Sequence, residues 1–73
     1  MNFIYAAFRS RREALNYVQA LSYRRVSARV VGTPAGIGSG CGLSVRFPAF
    51  AAPIAERILA SGQYDSFLGF YRG

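Results

Sequence analysis

The sequence predicts a small α+β domain of the ferredoxin-like type, a four-stranded antiparallel sheet with two helices on one face. Strand-like and helix-like segments follow one another in the order strand, helix, strand, strand, helix, strand. The 73-residue chain has room for one domain, residues 1–73, with a small core. A hydrophobic share of 52% argues against disorder and favours a homo-oligomer, a dimer, that hides apolar surface.

The first half of the chain predicts a strand and a helix. Residues 2–8 are apolar on both faces, which is typical of an interior strand. Ser10 and Glu13 have the spacing of a capping box, in which both side chains satisfy free N–H groups at a helix start. The helix ends near Tyr23-Arg24-Arg25. Its predicted buried stripe follows the helical repeat and comprises Ala14, Leu15, Val18 and Leu21.

The second half predicts a hairpin, a helix and a last strand. Residues 26–31 and 43–47 alternate between apolar and polar side chains, as half-exposed strands do. Residues 49–61 predict a helix with Pro53 in its first turn, Gly62 at its C-cap, and Ile54, Ile58 and Leu59 facing inward. Residues 67–72 form the last strand. We expect the face away from the helices to carry Ile4, Ala6 and Leu68 or their neighbours, covered by a second chain.

The net charge and the residue types present limit the classes of function that the chain can have. Nine arginines against three acids give a net charge of +6, which favours acidic partners such as nucleic acid, although solvated faces also explain scattered arginines. With no histidine and one cysteine, neither an ordinary zinc site, an internal disulfide nor a catalytic triad is expected, and no cofactor is implied. No apolar run approaches the roughly 20 residues that cross a bilayer, and no basic leader opens the chain, so we expect a cytoplasmic protein.

Residues 32–48 contain five of the eight glycines and the only cysteine. One interpretation is a long hairpin connection. Another is a set of converging N–H groups that binds an anionic atom. Cys41, between Gly40 and Gly42, can supply that atom as a thiolate. The alternative for Cys41 is a small buried hydrophobic residue.

A thiol with an ordinary pKa near 8.5 is only a few per cent thiolate at pH 7, so an active Cys41 needs stabilising groups. Without histidine or lysine, the candidates are loop N–H groups, the Thr33 and Ser39 hydroxyls, and an arginine. Arg46 lies five residues on, about 16 Å along an extended strand, so Arg9 or a partner's arginine is better placed.

The predicted hairpin offers a second site. If its strands align, Arg29 lies across from Arg46, which costs energy unless an anion or a carboxylate lies between them. The alternative is that both side chains extend into water. Ser27 and Ser44 flank this pair and can add hydrogen-bond donors.

These motifs carry a family resemblance. The string Thr33-Pro34, Ile37, Ser39, Cys41-Gly42 and Arg46-Phe47-Pro48, with Phe8-Arg9-Ser10 and Glu13-Ala14-Leu15 before it, resembles the selenium/sulfur carrier-like family of small domains. Ala35 and Gly38 depart from the family pattern, which has a basic residue and a serine there.

The resemblance implies a non-enzymatic carrier in which Cys41 holds sulfur or selenium as a persulfide or selenide adduct. It also implies a chalcogen donor, such as a cysteine desulfurase, and an acceptor protein. Two further hypotheses stay open, an RNA-binding module and a small-anion-binding regulatory module on the same fold. Against the first, residues 42–47 lack the alternating aromatics of an RNP1-type strand.

Overall fold

A computed structural model of the chain describes residues 2–32 and 42–72. Within these ranges the regular elements are β1 (Phe3–Phe8), α1 (Arg11–Tyr23), β2 (Arg29–Gly32), β3 (Leu43–Pro48), α2 (Ala52–Ser61) and β4 (Phe67–Arg72). A single 3₁₀ turn, Ala49–Ala51, precedes α2. Their order confirms the prediction of strand, helix, strand, strand, helix, strand.

The strands form one antiparallel sheet with the order β2-β3-β1-β4. This is the order of a ferredoxin-like sheet, and it places β1 in the interior, as its apolar sequence predicts. The register between β1 and β4 shifts between Ala7 and Phe8. On β4, Gly69 adopts a φ of 144°, a value that side-chain-bearing residues rarely adopt.

The first edge strand is shorter than the sequence predicts, because residues 26–28 belong to the connection after α1. Arg24 caps the helix and Arg25 turns the chain with a φ of 63°. The Val26 N–H then donates to the Leu21 carbonyl at 3.0 Å, and the Val26 side chain is buried in the core. Its hydrogen bond back to the helix keeps Val26 out of the sheet.

The start of α1 is only half of a capping box. Ser10 is the N-cap, and its Oγ accepts from the Glu13 N–H at 3.3 Å. The Glu13 carboxylate does not return to Ser10. It accepts from the Ser66 N–H at 2.9 Å and from the Ser66 hydroxyl at 2.8 Å, while the Ser10 N–H donates to Ser66 Oγ at 3.0 Å. The helix start is thus joined to the residue before β4.

The core lies between the helices and one face of the sheet. On α1 the buried residues are Ala14, Tyr17 and Leu21, so the predicted stripe missed Tyr17 and wrongly included Leu15, which is 46% exposed. On α2 they are Ala55 and Ile58, whereas the predicted Ile54 and Leu59 are only partly buried. Pro53 in the first turn and Gly62 at the C-cap are confirmed.

The helix-covered face of the sheet carries Ile4, Ala6 and Phe8 of β1, and the Phe8 ring lies 5.1 Å from that of Tyr17. Of the two alternatives that the sequence left open for the opposite face, Ile4 and Ala6 are therefore wrong, and their neighbours are correct. Alternation places Phe3, Tyr5 and Ala7 there instead. We call this surface, which faces away from the helices, the far face.

Candidate functional site

The predicted site residues divide between the part of the chain that the structure describes and the part that it does not. Cys41, Thr33, Ser39 and Gly40 lie outside the described residues. Gly42, Arg29 and Arg46 lie within them.

The sheet register shows that the strands before and after residues 33–41 meet at one end of the sheet. Gly32 ends β2, and its Cα pairs with that of Leu43, the first residue of β3. Leu43 also pairs with Phe8 at the end of β1. We call this end of the strands, marked by Gly32, Leu43 and Phe8, the loop end. Cys41 precedes Leu43 by two residues in the sequence.

Positive charge is present at the loop end. Arg9 directly follows Phe8, its N–H donates to the Ser66 carbonyl at 3.0 Å, and the residue is exposed. Helix α1 begins two residues later, so its N-terminus, the positive end of the helix dipole, also lies at the loop end. The sequence indicated Arg9 as a candidate neighbour of the cysteine. The sequence also predicted a helix start at Ser10. It gave no signal that this start lies at the same end of the sheet as Leu43, because the two segments are far apart in sequence.

A pocket of about 300 Å³ opens beside Arg9 and is lined by Arg9, Glu13, Asp65, Ser66 and Leu68. Two carboxylates face one guanidinium here, and Glu13 is already hydrogen-bonded to Ser66. This charge balance disfavours a small anion in the pocket.

The second predicted site lies on the far face. Arg29 and Arg46 are direct Cα partners, so the alignment of the hairpin that the sequence predicted is confirmed. The Arg46 guanidinium stacks over the Phe3 ring at 4.6 Å from its centroid, a cation–π contact that holds it in place. A pocket of about 260 Å³ adjoins the pair and is lined by Phe3, Ser27, Ala28, Arg29, Arg46 and Pro48. Ser44, the other predicted flank, is fully buried.

The two predicted sites are separate. Arg46 is three residues from Leu43 along β3, which corresponds to about 10 Å. The Arg29–Arg46 pair therefore lies toward the end of the sheet opposite to the one from which residues 33–41 depart. The arginine pair therefore needs a role that does not depend on the loop end.

Two tyrosines are perturbed by their surroundings but are structural. Burial raises the pKa of Tyr17, with smaller contributions from Tyr64 and Glu56. Burial also raises the pKa of Tyr64, with a contribution from Glu13. Both phenols therefore stay neutral at physiological pH. Their rings pack edge to face at 5.2 Å within the aromatic part of the core.

Sequence reasoning missed one arrangement of exposed and partly exposed side chains. On the far face Arg46 pairs with Tyr5, and Tyr5 pairs with Tyr71. Together with Arg29 these residues form a line across all four strands, which we call the far-face row: Arg29, Arg46, Tyr5 and Tyr71. Only the cross-strand register, which joins segments far apart in sequence, brings them together.

Among residues 2–32 and 42–72, no group of three or more His, Cys, Asp and Glu side chains is placed to hold a metal ion. Neither described helix has the length and apolar character that a membrane span requires.

Comparison with known proteins gives one family. No curated protein and no solved structure matches the chain significantly. A family model described as "Putative Se/S carrier protein-like" matches residues 3–72. The match covers nearly the whole chain, from the first residue of β1 to the last of β4 and including residues 33–41. The chain therefore belongs to the putative Se/S carrier protein-like family.

Proposed function

We propose that this protein is a sulfur or selenium carrier in which Cys41 holds the chalcogen atom. The observation that carries the proposal is the family match over residues 3–72, which includes the only cysteine of the chain. Persulfide formation needs a thiolate, and Cys41 is the only residue that can supply one. The assignment of the role to Cys41 is supported by the motif around it, Ser39-Gly40-Cys41-Gly42.

The loading step follows from thiol exchange chemistry. The Cys41 thiolate attacks the outer sulfur of a donor persulfide, the donor's S–S bond breaks, and the donor leaves as a thiolate. Sulfur moves as a neutral atom, so the step requires no additional oxidant or reductant. A donor that carries selenium in the outer position reacts in the same way. Unloading is the same exchange with an acceptor nucleophile.

The loop end supports this chemistry electrostatically. A guanidinium near a thiol stabilises the thiolate and lowers its pKa, and a helix N-terminus acts in the same direction. Arg9 follows Phe8, the register partner of Leu43, and α1 starts at the same end of the sheet. We assign to Arg9 the role of lowering the pKa of the Cys41 thiol.

A carrier of this kind works with other proteins rather than as an enzyme. The donor is a persulfide-forming protein such as a cysteine desulfurase, and the acceptor is the enzyme that incorporates the atom, both in the cytoplasm. A second copy of the chain is a further partner in the proposal. Phe50, Leu68 and Phe70 support it, because these large apolar side chains are 81%, 40% and 37% exposed.

Loading can be tested by intact-mass analysis. The reduced protein is incubated with a cysteine desulfurase and free cysteine, and we expect a gain equal to one sulfur atom that dithiothreitol removes. The Cys41→Ser variant is the matched control and should gain nothing. Equal gain by the variant, or no gain by the native protein, would contradict the proposal.

A further inference from the structure

The far-face row is a continuous line of side chains with a defined chemistry. Each strand contributes one member, in the order Arg29, Arg46, Tyr5, Tyr71. Neighbouring strands are about 4.8 Å apart, so the line is about 14 Å long. Two guanidinium groups occupy one half of it and two phenol rings the other.

The row lies on the face that the helices leave uncovered. Ile4 and Ala6, the neighbours of Tyr5, belong to the core packed against the helices, which places Tyr5 on the other side of the sheet. The Tyr71 ring lies against Gly69, with its hydroxyl 3.6 Å from the position that a Cβ of residue 69 would occupy. Arg29 is exposed, and the other three members of the row are partly exposed.

The charges on this face have one sign. The acids of the chain lie elsewhere, since Glu13 and Asp65 line the loop-end pocket and Glu56 lines a pocket on the helix side of the sheet. Two cations directly opposite each other on neighbouring strands destabilise the pair. An anionic group near both guanidinium groups removes this cost, and the adjoining pocket lined by Arg29 and Arg46 offers it space.

We propose that the far-face row binds single-stranded nucleic acid. Tyr5 and Tyr71 provide stacking surfaces for unpaired bases, and Arg29 and Arg46 contact the phosphates. A duplex hides the faces of its bases in the stack, so rings presented on a flat sheet favour a single strand. An acidic protein segment would use the arginines and has no need of the rings. The inference is independent of any cargo on Cys41.

Aromatic residues on β3 are not required for this mode of binding. The sequence argument against RNA binding was that β3 lacks alternating aromatics, but the register supplies rings from β1 and β4 instead. The ring of Phe3 has a supporting role, because it stacks with Arg46 and fixes the guanidinium at the sheet surface. This preorganisation reduces the entropy lost when a phosphate is bound.

Fluorescence anisotropy with a fluorescein-labelled oligouridylate tests the proposal, beginning at about 50 mM salt and raising the concentration stepwise. We expect Arg29→Gln to weaken binding and to reduce the slope of log affinity against log salt by about 0.7. Arg57→Gln, the same change on an exposed position of α2, is the matched control and should change both quantities less. We expect an unlabelled RNA duplex to compete poorly.

The second part of the binding experiment tests the tyrosines. Tyr71→Leu removes a stacking ring and should raise the Kd at least about fivefold, whereas Tyr71→Phe keeps the ring and should bind like the native protein. Tyr23→Leu, at the 89% exposed last residue of α1, is the control and should have little effect. Circular dichroism verifies that each variant is folded, and Tyr5→Leu replaces Tyr71→Leu if the latter unfolds.

Three results would overturn the proposal. The first is no binding at the lowest salt concentration. The second is an equal loss with Arg29→Gln and Arg57→Gln, which indicates non-specific attraction to a basic protein. The third is binding that depends on Arg29 and Arg46 but not on Tyr5 or Tyr71 and is displaced by polyglutamate, which indicates a docking site for an acidic protein.

Discussion

The phenol of Tyr17 donates a 2.7 Å hydrogen bond to the carbonyl oxygen of Ala55. Tyr17 lies on α1 and Ala55 on α2, and both residues are fully buried. The bond therefore joins the two helices through the core. Around it, the Tyr17 ring also packs against Phe8 and Tyr64, at centroid distances of 5.1 and 5.2 Å. One side chain thus connects both helices and the central strand.

Removing this hydroxyl should destabilise the protein while preserving its shape. Tyr17→Phe keeps the ring contacts but takes away the donor to Ala55, so we expect the free energy of unfolding to fall by about 1–2 kcal/mol. Tyr23→Phe, at an exposed position, is the control and should have almost no effect. Guanidinium chloride denaturation measures both. Equal stability of Tyr17→Phe and the native protein would contradict the structural role of the bond.

The raised pKa of Tyr17 predicts how stability depends on pH. Burial raises this pKa above the value in the unfolded chain, near 10, so the unfolded state loses its proton first. Stability is therefore fully present below about pH 10 and falls as the pH rises beyond it, by up to about 1.4 kcal/mol per unit for this group. Denaturation curves between pH 8 and about pH 11 should show the decline. We expect a weaker decline in Tyr17→Phe, and an identical one would assign the effect to other groups.

The link between α1 and β4 makes Glu13 important for stability despite its place near the surface. Glu13→Ala removes the acceptor for the Ser66 N–H and hydroxyl, and we expect a loss of about 1.5–3 kcal/mol, typical of hydrogen bonds to a charged group. Glu56→Ala, an exposed acid on α2, is the matched control and should lose much less. Thermal unfolding followed by circular dichroism compares the two. A similar loss in both variants would assign the effect to net charge alone.

The proposed role of Arg9 predicts a change in the reactivity of Cys41. Arg9→Gln removes the cation that stabilises the thiolate, so the thiol pKa should rise by about one unit or more. The rate of alkylation by iodoacetamide, measured across a pH series, reports this pKa. Arg57→Gln should leave the profile unchanged. If the profiles of Arg9→Gln and the native protein coincide, Arg9 has no part in activating Cys41. The proposal that Cys41 carries sulfur would not be affected, because the mass test of loading is independent of Arg9.

Local features of the sequence predicted the order of the helices and strands and most of the residues at which they begin and end. Ser10 as the N-cap, Pro53 in the first turn of α2 and Gly62 at its C-cap act through neighbours in the chain, so a sequence pattern is sufficient to place them. The family resemblance rested on short motifs between Phe8 and Leu15 and between Thr33 and Pro48, and the family match over residues 3–72 confirms it.

Features that depend on tertiary contacts were not predictable in the same way. The apolar side chains on both faces of β1 give no signal for which face the helices cover, so the sequence left open whether Ile4 and Ala6 or their neighbours lie on the far face. The predicted buried stripe of α1 did not include Tyr17, whose hydroxyl is satisfied by Ala55 on another helix.

The same limit applies to pairs that meet only in the folded chain. The partner of Glu13 is Ser66, 53 positions away, and local spacing cannot indicate it. Tyr5 and Tyr71 become neighbours only through the register of β1 with β4.

The irregular β4 edge has a consequence for behaviour in a crowded solution. An edge strand with an uninterrupted row of free N–H and C=O groups is a template on which further chains can polymerise. The register shift beside Ala7 and the φ of 144° at Gly69 break the regular spacing of those groups. A protein with apolar side chains as exposed as Leu68 and Phe70 can in this way remain dispersed instead of growing into fibres through that edge.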